Sequence, residues 1–160
     1  MTISVGENMP SGTFGVMADA GPSSISTNDL FSDKRVVLVS VPGAFTPTCS
    51  MSHLPGYIDQ ISSLTKKNVD TVACMAVNDV FVMDAWGKDS GVGNNIIMLA
   101  DGNGEYARAL GLEMDATSFG MGIRSQRFAI IVDDGVISHL AIEAPGQLDV
   151  SKAEAILEAL

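Results

Sequence analysis

The chain is poor in positive charge. Of its 160 residues nine are Lys or Arg, against nineteen Asp and Glu, for a formal net charge of −10. That balance excludes the basic footprint by which proteins hold nucleic acid or an anionic membrane surface. Any positive charge needed beside a reactive group must come from a few particular residues. Cysteine is scarce too: Cys49 and Cys74 are the only two. Two cysteines make no disulfide framework, which gives thiol chemistry more weight. No apolar run is long enough to cross a bilayer. Met1-Thr2-Ile3-Ser4-Val5-Gly6-Glu7 shows no basic segment followed by an apolar one. No signal peptide is expected there, and a cytoplasmic protein is. Repeats, low-complexity tracts and linker-like stretches are absent. With 46% hydrophobic and 18% charged residues, the composition suits one globular domain over residues 1–160.

The elements alternate between strand and helix. Thr13 to Met17 reads as a first strand, with Gly21-Pro22 as a turn. Ser26 to Phe31 reads as a capped helical turn. Arg35 to Val41, Val69 to Val77 and Ile96 to Ala100 are apolar runs rich in β-branched residues, suited to buried strands. A helix is expected from Thr46 to about Lys66, kinked or broken at Pro55. Asn78-Asp79 should cap a helix over Val80 to Gly87. Asp101-Gly102-Asn103-Gly104 is a turn before a short helix ending at Leu110. Arg127 to Val132 and Val136 to Ile142 flank an Asp-Gly signal for a β-hairpin. Ser151 should cap a last amphipathic helix. The whole reads as an α/β fold, a central mixed sheet flanked by helices.

The richest local signal is Pro42-Gly43-Ala44-Phe45-Thr46-Pro47-Thr48-Cys49-Ser50. It follows the strand Val36 to Val41. Thr46 offers a hydroxyl at an N-cap, and Pro47 suits the first helical position. Cys49 then falls in the first turn, among unpaired backbone N–H groups at the positive end of the helix dipole. Such a place favours a nucleophilic thiolate over an inert buried cysteine.

That nine-residue stretch resembles the peroxiredoxin active-site signature, Pro-x-x-x-Thr/Ser-x-x-Cys. His53-Leu54-Pro55-Gly56-Tyr57, Val77-Asn78-Asp79, Phe81-Val82-Met83-Asp84-Ala85-Trp86, Asp101-Gly102-Asn103-Gly104 and Arg124-Ser125-Gln126-Arg127-Phe128 resemble the atypical peroxiredoxin 5 / type II branch, in order along nearly the whole chain. The resemblance implies a thioredoxin-like fold with a peroxiredoxin N-terminal extension. It implies an antioxidant thiol peroxidase acting on hydrogen peroxide, organic hydroperoxides and, as a further candidate, peroxynitrite. Cys49 would attack the peroxide and become a sulfenic acid. Thr46 would bond the peroxide, Pro42 would shield the sulfur, and backbone N–H groups from Phe45 to Cys49 would hold the second oxygen. The resemblance, rather than composition, selects Arg127 over Arg124 as the guanidinium beside the sulfur. No cofactor and no metal are implied. The partners implied are peroxide substrates, a thiol reductant and a second copy in a homodimer.

The second half of the cycle is less defined by the residues. Cys74 is the internal candidate for a resolving thiol, yet it sits in a strand apolar on both faces and reads equally as a core residue. Other members of the family place a resolving cysteine near the C-terminus, where this chain has Ser151. The expectation is therefore an external thiol, glutathione or glutaredoxin. Thioredoxin with Cys74 as resolving residue is the alternative. His53, four residues past Cys49, either tunes the thiol or packs. The stripe Phe81, Met83, Trp86 looks exposed, though most such stripes are core; the resemblance implies instead that part of its helix borders the active site and a dimer interface.

Two rival classes remain at this point. A cysteine hydrolase would pair Cys49 with His53 or His139. A metal site would gather Cys49, His53, Cys74 and His139, though their spacing lacks the paired ligands of zinc sites. Gly91-Val92-Gly93 lacks the third glycine of a dinucleotide loop. The stretch from Asp101 to Leu112 lacks the glycine and final carboxylate of a calcium loop.

Overall fold

Unbroken aliphatic runs set the frame. The computed structural model describes all 160 residues. Its strands are β1 (Thr13–Ala18), β2 (Gly21–Ser26), β3 (Arg35–Ser40), β4 (Thr71–Ala76), β5 (Ile97–Ala100), β6 (Glu113–Asp115), β7 (Ile123–Ser125), β8 (Phe128–Asp133) and β9 (Val136–Ile142). Seven of them form a mixed sheet in the order β2-β1-β5-β4-β3-β8-β9, while β6 and β7 pair separately. β4 lies parallel between β3 and β5. Its neighbours cover both edges and helices cover both faces, which is why its residues need no polar alternation.

Side chains leave a strand alternately to either face. Val37, Val39 and Cys74 enter one apolar cluster, and Val36, Leu38, Ala73 and Met75 enter the other. The first cluster also holds Cys49, Trp86, Met83 and Ile156. Cys49 and Cys74 therefore share one side of the sheet.

The helices are α1 (Thr27–Phe31), α2 (Leu54–Asp59), α3 (Ile61–Lys66), α4 (Val80–Ser90), α5 (Glu105–Leu110) and α6 (Ala153–Ala159). Ser26 Oγ accepts the Asp29 N–H (3.1 Å) and Asp79 Oδ1 accepts the Val82 N–H (2.8 Å), so both expected caps form. The β8–β9 hairpin turns at Asp134 and Gly135, with φ of 47° and 80°, the left-handed pair that a two-residue hairpin loop requires. No helix is long and apolar enough to cross a membrane.

Three expectations are corrected. Gly21-Pro22 is not a turn but the start of β2, which pairs with all of β1. A polar, serine-rich strand is held by its partner's ladder rather than by its own propensity. The helix after Thr46 is not regular as far as Pro55. Residues Cys49–His53 form a π-helical turn, with the Leu54 N–H bonded to the Cys49 carbonyl, and the helix is interrupted at Gln60 rather than at Pro55. Pro55 has no N–H for the normal ladder, and the widened turn lies just before it. Ser151 does not cap α6, which begins after Lys152 with no side-chain cap. Of the stripe Phe81, Met83, Trp86, the last two pack into the core and Phe81 is exposed.

Candidate active site

The loop after β3 delivers Cys49 to the edge of the first cluster. Phe45 turns the chain with φ of 63°, a left-handed conformation costly for a side-chain-bearing residue. Asn78 Oδ1 accepts the Ala44 N–H at 2.9 Å and anchors the loop to the end of β4. The helix then starts at Pro47, with Thr46 O accepting the Ser50 N–H (2.9 Å). The N–H groups of Thr48 and Cys49, in that first turn, have no acceptor within the chain.

Two donors converge on the Cys49 sulfur, which is 0% exposed. Thr46 Oγ1 lies 2.8 Å from Sγ and 2.7 Å from the Gly43 carbonyl. One hydroxyl hydrogen therefore serves two acceptors in turn. The Thr46 side chain does not cap a backbone N–H, as its place at the helix start had suggested; its hydroxyl is engaged by the sulfur. The Arg127 Nη2–H donates to Sγ at 3.1 Å. Arg127 lies between β7 and β8, and its carbonyl accepts the Glu143 N–H at 3.0 Å. Arg124 instead turns to the Met121 and Pro42 carbonyls.

His53 faces Arg127, not the sulfur. The Arg127 Nη1–H meets His53 Nδ1 at 2.8 Å. A guanidinium only donates, so Nδ1 accepts and the ring proton sits on Nε2. That Nε2–H donates to the Ser151 carbonyl at 3.0 Å, which also accepts the Tyr57 hydroxyl at 2.6 Å. Burial first, and the neighbouring Arg127 charge second, push the His53 pKa down to about 4, against the upward pull of the Ser151 carbonyl and Glu143. The imidazole is neutral at pH 7. It makes no pair with Cys49, so the cysteine–histidine arrangement of a hydrolase is not formed. The four residues considered for a metal are not gathered either, since no group of three or more His, Cys, Asp or Glu side chains is placed to hold an ion.

Cys74 is 1% exposed on β4, and burial first, then the nearby Cys49, push its thiol well above the ordinary range. Pro42 and Thr48 line a cavity of about 640 Å³ that opens beside Arg127, with Met114, Phe119 and Pro145 on its wall. Phe45 is half exposed on the outer side of the loop.

The family profile described as Redoxin matches residues 4–157. Peroxiredoxin-2C of Arabidopsis thaliana is 44% identical over 159 residues, which is 99% of this chain and 98% of the relative. The chain belongs to the peroxiredoxins. As such it is a thiol-dependent peroxidase. The reduced Prx3 of Vibrio vulnificus, solved in complex with H2O2, superposes with a TM-score of 0.95 at 48% identity, covering 99% of both chains. Peroxiredoxin 5 from Alvinella pompejana superposes at 0.86 with 36% identity, covering 98% of this chain and 97% of its own. The fold is thus the thioredoxin-like peroxiredoxin fold, with β1, β2 and α1 preceding the first central strand.

Within this peroxiredoxin, sequence reasoning missed three participants. Ser50 accepts the Trp86 Nε1–H at 2.9 Å and ties α4 to the first turn. Ser151, read as a cap, meets His53 instead. Glu143 had drawn no notice, yet its Oε2 accepts the Ser151 N–H (2.8 Å), the Ser151 hydroxyl (2.6 Å) and the Asp149 N–H (2.7 Å). Glutamate in so acidic a chain carries no signal of its own; only its burial marks it.

Proposed function

We propose that Cys49 is the peroxidatic nucleophile and that Thr46 and Arg127 are its two partners in the reaction. The convergence of the Thr46 hydroxyl and the Arg127 guanidinium on one sulfur carries this reading. Both favour negative charge on the sulfur or on an oxygen beside it. The sulfur attacks one peroxide oxygen, an S–O bond forms as the O–O bond breaks, and the departing alkoxide takes a proton to become the alcohol, or water from hydrogen peroxide. The Thr46 hydrogen can swing to Gly43 O, which frees Oγ1 to accept a peroxide O–H. The N–H groups of Thr48 and Cys49 and the Arg127 fork face the charge that develops on oxygen. Pro42 keeps bulk water from the sulfur.

Hydrogen peroxide and neutral organic hydroperoxides are the substrates this site suits. The adjoining cavity has apolar wall for an organic tail, while Glu113, Asp115 and Glu143 on the same wall oppose an anion such as peroxynitrite. Recycling uses an external thiol, glutathione or glutaredoxin. Cys74 is fully enclosed with a thiol that resists ionisation, so it is a poor attacker of a sulfenic acid. Because Cys49 is enclosed as well, its turn must open for any reductant. The one observation that favours thioredoxin with Cys74 instead is that both thiols lie in the same cluster. A homodimer completes the reading, with exposed Phe81 at the end of α4 its candidate contact. Consumption of H2O2 with glutathione and glutaredoxin, by wild type and Cys49→Ser, tests the function. The variant should consume none above background, and retained turnover overturns the assignment.

A further inference from the structure

An ordered chain of contacts runs from the sulfur to a carboxylate on the far side of His53. Cys49 Sγ bonds Arg127, Arg127 bonds His53 Nδ1, His53 Nε2–H bonds the Ser151 carbonyl, and Ser151 is held through its N–H and hydroxyl by Glu143. Glu143 lies just past the end of β9 and takes part in no ion pair. It is largely buried. An unpaired carboxylate in such a place is costly unless its oxygens are well bonded. Here one oxygen takes three donors, all from the 149–151 segment. Burial alone would raise its pKa, but the bonds from Ser151 and Asp149 outweigh it and hold it below the usual carboxylate range. The carboxylate is thus a fixed charged clamp on a segment with no regular structure, and that segment presents the acceptor that orients His53.

Resting on the reading of Cys49 above, we propose that Glu143 is a positioning residue for the peroxide reaction. By clamping residues 149–151 against His53 it keeps the imidazole as the Nε2–H tautomer, whose free Nδ1 lone pair holds the Arg127 guanidinium on the Cys49 sulfur. Without the clamp the Ser151 carbonyl can retreat, and the ring can move its proton to Nδ1. A protonated Nδ1 repels the Nη1–H it had accepted. Arg127 then loses one of the two contacts that aim it.

The test reads both ends of the chain. The nitrogen resonances of the His53 ring report which nitrogen carries the proton, and with only His53 and His139 present a His139→Gln sample assigns them. In wild type His53 should appear as Nε2–H. In Glu143→Ala it should appear as a mixture, with the second-order rate of reaction with H2O2 lower on the order of tenfold, the cost of one misaligned charge-assisted bond. In a His53→Gln background the same substitution should cause little further loss, because both changes act on one contact. An unchanged tautomer in Glu143→Ala, or losses that multiply in the double variant, overturns the proposal. Should Glu143→Ala not fold, Glu143→Gln takes its place in the cycle. Its amide oxygen keeps part of the clamp, so a smaller loss is expected, again absent in the His53→Gln background. Failure of the underlying reading is separately visible: it is Cys49→Ser, not Glu143→Ala, that would then retain the peroxide reaction.

Discussion

Acid should destabilise this protein through a single histidine. His53 is almost wholly enclosed, and the groups facing it are Arg127, the Ser151 carbonyl, Tyr57 and, through Ser151, Glu143. In the unfolded chain it takes up a proton near pH 6.5; in the fold it refuses one until about pH 4. Between those values the unfolded state binds more protons, so stability falls as pH drops. The contribution is fully present above about pH 6.5, and below about pH 4 both states are protonated and no further loss accrues. That gap, at about 1.4 kcal/mol for each pH unit, is worth about 3 kcal/mol. Glu143, held below its ordinary value, adds its own loss only at still lower pH, from about its unfolded value downward. Urea unfolding of wild type and His53→Gln, followed by the fluorescence of Trp86, the one tryptophan and a buried one, isolates the histidine. From pH 7 to pH 4.5 wild type should lose about 2–3 kcal/mol more than the variant. Equal losses in the two proteins would refute the buried, neutral imidazole.

Two further outcomes are expected. Arg127→Lys retains the charge but not the fork that spans Cys49 Sγ and His53 Nδ1, so the reaction with H2O2 should slow on the order of tenfold to a hundredfold, read by stopped flow; an unchanged rate would mean charge alone suffices. Cys74→Ala, chosen to avoid burying a new hydroxyl, should leave glutathione/glutaredoxin turnover nearly intact, and peroxide-treated wild type should show no Cys49–Cys74 disulfide by non-reducing peptide mapping; a disulfide together with lost turnover would favour the thioredoxin cycle.

The fold was legible where the signal is local. Val36 to Val41 and Val69 to Val77 carry their burial in their composition. Ser26, Asp79 and Asp134-Gly135 carry cap and turn in single side chains or a pair of left-handed residues. The strands β2, β6 and β7 carry no such mark, since they are short or polar and exist through their pairing partners. The same divide runs through the site. Cys49 and Thr46 lie three residues apart and could be read together. Arg127 needed the family resemblance to be preferred over Arg124, because the choice depends on a contact made across 78 residues of chain. The Glu143–Ser151 clamp was invisible, since it meets His53 from across 98 residues. The helical spacing of Cys49 and His53 left thiol tuning and simple packing both open. The π turn and the guanidinium that bonds both side chains link the two indirectly.

The central claim is that peroxide oxygen arrives at Cys49. Its most direct test is peptide mass spectrometry of the reduced protein after a stoichiometric pulse of H2O2, with a sulfenic-acid trap present and no reductant. The account predicts one trapped oxidation, on Cys49, formed within the dead time of mixing and absent from Cys49→Ser. Trapping on Cys74 in its place, or equal oxidation of the Cys49→Ser protein, would contradict it.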